Sequence, residues 1–257
     1  MQQISGLLSR SSRYSAQLSS AQPGRKTVSS SPPTDLLLAE VMLGLYQYSV
    51  GYPRVTFDKI FDVSGVYAGL KHLDGDQDIL AFRGSVTLPD WIHDFEADSR
   101  PVVDHPQMGK VDSGFFFGVE AAMLQIIPEL HNPLYIVGHS LGGPRATYAA
   151  ALLTLSGKVP LKAVMFESPR PGMQQLVDIL AKVPGTQFRN VYRGDHSGVT
   201  DLPFHFPLLF PYVHPWMPFI ELQVVPDPGD DHPISRLHHM WLCYNSLKIA
   251  SMAITGA

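Results

Sequence analysis

A chain of 257 residues, 45% hydrophobic and 16% charged, is long enough to close one large core, which excludes a small disulfide-stapled module and a disordered polyelectrolyte. A net charge of −4 and a pI near 6.2 exclude any general pull toward nucleic acid or an anionic membrane, and the lone cysteine, Cys243, excludes an internal bridge. No apolar run reaches the roughly 18 residues of a transmembrane helix, and the first residues lack the charged start, hydrophobic block and cleavage site of a secretory leader. The expectation is a soluble protein, cytoplasmic or secreted, with no transmembrane segment and no nucleic-acid partner.

Residues 1–33 are rich in serine, carry Arg10, Arg13, Arg25 and Lys26, contain no acidic residue and end in Pro32-Pro33. Such a segment buries too little apolar surface to offset its ordering entropy, so it reads as disordered or loosely docked, with a transit peptide as the alternative. Residues 34–257 then form a single α/β domain. Thr34 reads as an N-cap, with Asp35 in the first turn of a helix that runs at apolar 3.6-residue spacing to Tyr48. Two β-rich runs follow, Ser64 to Leu73 and Asp78 to Phe82. Asp74-Gly75-Asp76 between them predicts a hairpin, and the second run leads straight into Arg83-Gly84-Ser85.

The stretch from Leu134 to Leu155, LYIVGHSLGGPRATYAAALLTL, predicts a strand, a sharp turn and a helix starting at Leu141. Its Gly138-His139-Ser140-Leu141-Gly142 is a G-x-S-x-G pattern. A serine on so tight a turn is pushed out at the end of the sheet, and its neighbours must lack bulk. Ser140 is therefore the candidate nucleophile. The following helix aims its free N–H groups and positive dipole end at the place where acyl transfer develops a negative oxygen, making Leu141 N–H one oxyanion donor. The second donor commonly lies on a loop after an earlier strand, where Ser85 stands.

Four blocks in order, ILAFRGSVTLPDWIHDFEAD, VDSGFFFGVEAAM, GHSLGG and AVMFESPRPG, cover most of Asp78 to Gly172. Together they resemble the class 3 lipases, the α/β-hydrolase family of fungal triacylglycerol lipases and their plant, bacterial and phage relatives. The resemblance implies an α/β-hydrolase fold, a mostly parallel central sheet with helices on both faces. It implies an oxyanion hole from the N–H groups of Ser85 and Leu141, helped by the Ser85 hydroxyl. It also implies a lid over about Val86 to Asp94, with Leu88, Trp91 and Ile92 facing lipid or substrate. An amphipathic surface helix over Leu88 to Phe95 is the alternative. Two departures stand out: the family often has histidine at Asp112, and its Phe-Gly becomes Phe166-Glu167.

In α/β-hydrolases the acid and then the histidine follow the serine. After the strand-like Phe188 to Arg193 comes Gly194-Asp195, which makes Asp195 the candidate acid. Asp201 competes, and Asp178 falls on a predicted helix, Met173 to Lys182. Of eleven histidines, His72, His93, His105 and His131 precede the serine. His139 should point away from the Ser140 hydroxyl, and His214, ahead of a strand at Phe219 to Val225, resembles a structural position of the family. His232 lies on a loop opening a final helix, Ile234 to Ile249, and resembles the Asp-His-x-Ile segment that carries the base in bacterial members. His239-Met240-Trp241 resembles the fungal His-Leu-Trp, so His239 is the second choice.

The proline- and aromatic-rich Leu202 to Phe219 predicts a long loop, whose Phe204 and Phe206 either line an acyl cleft or pack on the core. The combined reading is a carboxylic ester hydrolase needing no cofactor and no metal, acting on a small-molecule or lipid ester with transient contact at a lipid interface. Three alternatives remain open: an inactive binding or signalling module of the same fold, a peptidase, phospholipase or acyltransferase using the same triad, and a metal hydrolase. The last would draw on Asp230, Asp231, His232, His238 and His239 but lacks an HExxH pattern.

Overall fold

The computed structural model describes residues 31–46, 54–74, 77–84, 99–130, 133–190, 219–221 and 240–255. Among these, seven strands form one sheet: β1 (Lys59–Val63), β2 (Val66–Leu73), β3 (Gln77–Phe82), then β6 (Leu134–His139), β7 (Lys162–Phe166), β8 (Gln187–Asn190) and β9 (Phe219–Glu221), side by side in that order. β1, β2 and β3 pair antiparallel, and from β3 through β9 every pairing is parallel. A separate two-stranded ribbon, β4 (Ser99–Pro101) with β5 (Lys110–Asp112), precedes a one-turn helix α2 (Ser113–Phe116).

The central strands read as continuous apolar runs because both their faces are covered. Leu80, Phe82, Leu134, Ile136, Ala163 and Met165 share a core with α3 (Val119–Ile126), α4 (Gly142–Leu155) and α5 (Gln174–Leu180). The alternate residues Ile79, Ala81, Tyr135, Val137, Val164 and Phe166 join a second core with α1 (Asp35–Leu45) and with Cys243 and Tyr244 of α6 (Met240–Thr255). Side chains alternate across a strand, so the two cores lie on opposite faces. The expected architecture, a mostly parallel sheet with helices on both sides, is what the molecule has.

α4 is buried from Gly142 to Thr154, which its run of glycine and alanine permits by letting the helix lie close on the sheet. Its buried hydroxyls are satisfied locally: Thr147 Oγ1 donates to the Gly143 carbonyl at 3.0 Å and Thr154 Oγ1 to that of Ala150 at 2.7 Å. Thr34 caps α1 as expected, its Oγ1 accepting from Leu37 N–H at 3.2 Å. That helix ends at Leu45, short of the expected Tyr48, with Tyr46 as its C-cap.

Several bounds differ from expectation. β1 was not anticipated, because only Phe61 of its five residues is buried and an edge strand carries little hydrophobic pattern. Ser64 does not begin β2. With φ of 50° and 78°, Ser64 and Gly65 form the two-residue turn joining β1 to β2, a left-handed pair suited to a tight hairpin. α5 is shorter than expected at both ends, and α6 continues past Ile249 to Thr255. Residues 75 and 76 of the predicted hairpin lie outside the described residues, as does the expected opening of the last helix before Met240.

Candidate active site

β6 runs down the middle of the sheet, and at its end the chain reverses in a single residue, Ser140, into α4. Ser140 has φ 58°, a left-handed conformation that non-glycine residues adopt only when their surroundings hold them there. The turn is fixed by two hydrogen bonds: Ser140 N–H donates to the Phe166 carbonyl of β7 at 3.1 Å, and Gly143 N–H donates to the Ser140 carbonyl at 2.8 Å. Nothing bulkier than hydrogen fits at its glycines. A Cβ on Gly138 would sit 2.2 Å from the Gly142 carbonyl oxygen, and one on Gly142 would sit 1.9 Å from that of Phe82. The elbow therefore lies directly on the end of β3, which brings Phe82-Arg83-Gly84 against Leu141-Gly142.

The Ser140 side chain is fully buried, and its Oγ makes no hydrogen bond among the described residues. A buried hydroxyl without a partner is costly, on the order of 1–3 kcal/mol, and is uncommon enough to need a reason. Leu141 immediately precedes the first turn of α4, so its N–H belongs to the donors that find no acceptor inside the helix. Gly84 comes closer still to the serine: a Cβ there would lie 2.6 Å from Ser140 Cβ. A left-handed serine, an unpartnered hydroxyl, a helix start and the chain leaving β3 thus meet at one place.

His139, expected to turn away from the serine hydroxyl, has its Nδ1 in a 2.6 Å hydrogen bond with Tyr46 Oη, and the two rings meet edge to face at 5.3 Å. Tyr46 Oη also accepts from Gly84 N–H at 3.0 Å. This tyrosine was not singled out from the sequence, where it is one more apolar position at the end of a helix. The Arg83 guanidinium stacks on the Tyr67 ring at 3.7 Å, and its buried Nε has no hydrogen-bond partner among the described residues. Arg145, one turn into α4, is 8% exposed and donates from Nη1 to the Gly65 carbonyl at 2.8 Å. Burial lowers its pKa to about 10, which still leaves it charged at neutral pH.

Both departures from the family pattern acquire a physical role. Asp112 is fully buried and caps α2, its Oδ1 accepting from Gly114 N–H at 2.9 Å and Phe115 N–H at 3.1 Å. Glu167 is also fully buried and has φ 46°, so the position where the resemblance has glycine is one whose backbone favours glycine. Asp178, a weaker candidate for the acid, sits on the exposed side of α5 and accepts from Gln174 Nε2 at 2.9 Å. Ser85, Leu88, Trp91, Ile92, Asp195, Asp201, Phe204, Phe206, His214, His232, His238 and His239 lie outside the described residues.

Residues 79–206, from β3 through the elbow and past Asp195, match the family model described as Lipase (class 3). The chain belongs to the class 3 lipase family. Among characterised relatives it is 32% identical over 166 residues to the secreted mono- and diacylglycerol lipase A of Penicillium cyclopium, covering 60% of this chain and 50% of the relative. It is 25% identical over 221 residues to the chloroplastic phospholipase A1-Ialpha2 of Arabidopsis thaliana, covering 66% and 44%. This class 3 lipase family member thus spans about half the length of the curated relatives it matches. In fold it is similar to the lipase of Rhizopus microsporus var. chinensis, with a TM-score of 0.54 over 82% of this chain and 83% of that one at 20% identity. No described helix is long and apolar enough to cross a membrane.

Proposed function

We propose that this class 3 lipase family member is a serine carboxylic ester hydrolase that cleaves acyl esters such as acylglycerols through an acyl-enzyme on Ser140. The observation that carries the reading is the serine itself, left-handed and buried, with a hydroxyl that no described group satisfies at the head of α4. Backbone strain at the residue and a hydroxyl that no described group claims, left open for a base and a substrate, support its role as nucleophile. The names of the relatives, a mono- and diacylglycerol lipase and a phospholipase A1, support a glycerol-based acyl ester as the substrate class.

In this reading His232 is the base, with His239 as second choice, and Asp195 holds its imidazole in the right tautomer. The imidazole takes the Ser140 proton as Oγ attacks the ester carbonyl carbon, and the resulting oxyanion is held by the N–H groups of Leu141 and Ser85. Collapse breaks the bond to the alcohol, which leaves with the proton from the imidazolium. Water, deprotonated by the same base, then releases the acid. Complete burial of Ser140 means that an ester can enter only after the site opens; the resemblance assigns that gating to a lid over Val86 to Asp94 with Leu88, Trp91 and Ile92. Phe204 and Phe206 would wall the acyl cleft. The catalytic unit is residues 34–257, with 1–33 a separate segment.

The test is hydrolysis of p-nitrophenyl esters from short to long acyl chains by the native protein and Ser140→Ala. Turnover by the native protein with a loss of at least about 10³-fold in the variant is expected, and the chain-length optimum separates esterase from lipase. Equal turnover by both would remove Ser140 from the role of nucleophile. Inactivity of the native protein on every ester would favour a binding module.

A further inference from the structure

The two stretches of backbone that would build the oxyanion hole come from distant parts of the chain: Gly84 follows β3, and His139 ends β6 immediately before Ser140. Tyr46 joins them. Its Oη accepts the Gly84 N–H at 3.0 Å and lies 2.6 Å from His139 Nδ1. We propose that Tyr46 is a positioning residue for acyl transfer, its phenol clamping the Gly84 peptide to the nucleophile elbow so that the next amide along the chain is held in register with that of Leu141. The proposal rests on the ester-hydrolase reading given above.

The phenol is suited to this by chemistry and by anchorage. The phenol oxygen accepts from Gly84 N–H and shares a second hydrogen bond with His139 Nδ1, so one hydroxyl holds both partners. The bond to Gly84 fixes the orientation of the peptide one residue ahead of the proposed donor Ser85. The bond to His139 fixes the residue on the other side of the gap, next to Ser140. Tyr46 is itself held firmly: its N–H donates to the Leu43 carbonyl at 3.1 Å, and the helix it terminates is buried along Leu38, Val41, Met42 and Leu45. The far end of that helix is tied to β7 by the Asp35–Lys162 ion pair. The close approach of Gly84 to Ser140 and to Tyr46 Oη, where a Cβ would fall 2.6 Å and 2.9 Å away, leaves no slack in the arrangement. An oxyanion donor displaced by a fraction of an ångström loses much of its effect, because stabilisation depends on donors already in place when charge develops.

Tyr46→Phe removes the hydroxyl and keeps the ring. The expected result on a p-nitrophenyl ester is a kcat lower by about 10–100-fold with KM little changed, somewhat less than the loss on deleting a donor outright. The matching thionoester, whose developing sulfur anion draws little from hydrogen bonds, should slow far less, so the ester-to-thionoester ratio should fall by about tenfold. A purely structural tyrosine would lower the melting temperature and leave that ratio and kcat per folded molecule unchanged, which would overturn the proposal. Should Tyr46→Phe not fold, His139→Gln, which takes away the phenol's other anchor, is expected to show the same kcat loss and ratio change in smaller measure. An unchanged ratio there would likewise overturn it. An active native protein, an inactive Ser140→Ala and a fully active Tyr46→Phe would sink the clamp and spare the hydrolase reading. A native protein that turns over neither substrate takes both down.

Discussion

Where the parallel strands begin, Asp78 is buried but its Oδ1 lies 2.7 Å from His72 Nδ1, Asp58 accepts the His72 N–H at 2.7 Å, and Lys162 reaches across to Asp35. Where the same strands finish, Ser140 Oγ and Arg83 Nε are buried without a hydrogen-bond partner among the described residues, and Ser140 and Glu167 hold left-handed backbones. One sheet thus has a satisfied end and an unsatisfied end, separated by the length of β3 and β6. Polar groups at the first contribute to stability. Those at the second have no hydrogen-bond partner among the described residues, at a cost the rest of the fold sustains.

The contrast can be broken most severely at Gly142. Gly142→Ala drives a methyl to within 1.9 Å of the Phe82 carbonyl, backbone against backbone, so neither side can yield cheaply. Denaturant unfolding should show a loss of about 3 kcal/mol or more, and ester turnover should disappear with the elbow geometry. Asp78→Ala sharpens the comparison from the other end. It should lower unfolding free energy by about 2 kcal/mol through loss of the hydrogen bond to His72, while kcat/KM for the folded protein stays at the native value. A change in kcat/KM there would mean that the two ends are coupled.

The smallest expected effect comes from His105, beside the ribbon. Its pKa is lowered from the ordinary 6.5, chiefly by burial, against a lesser upward push from Asp104. The folded form then binds fewer protons than the unfolded one as pH falls below 6.5, so stability is retained above that value and lost on acidification through the folded pKa. Melting temperatures from pH 7.5 down to about 5.5 should therefore fall more steeply in the native protein than in His105→Gln.

How much of this was legible in advance depends on how local the signal is. The elbow was legible because strand, turn and helix each leave a mark within one 22-residue stretch: β-branched residues, glycines at fixed offsets, then alanines. The N-cap at Thr34 was legible for the same reason. β1 was not, since a half-exposed edge strand has little pattern to read, and the Ser64-Gly65 turn was absorbed into the strand it precedes. Glu167 was noticed only as a departure from a resemblance; its left-handed backbone follows from the packing of β7 against the elbow, which no neighbouring residue announces. Tyr46 was invisible as a site residue, because its partners Gly84 and His139 lie 38 and 93 positions away. Contacts of that separation are set by the topology of the sheet.

The most direct test of the account is to treat the native protein with a fluorophosphonate, which reacts with an activated serine to leave a stable tetrahedral adduct, and to locate that adduct by peptide mass spectrometry. Stoichiometric modification at Ser140, abolished in Ser140→Ala, is the predicted result. Modification at another serine, or none under conditions where the protein hydrolyses esters, would contradict the claim that the unsatisfied end of the sheet is where the chemistry occurs.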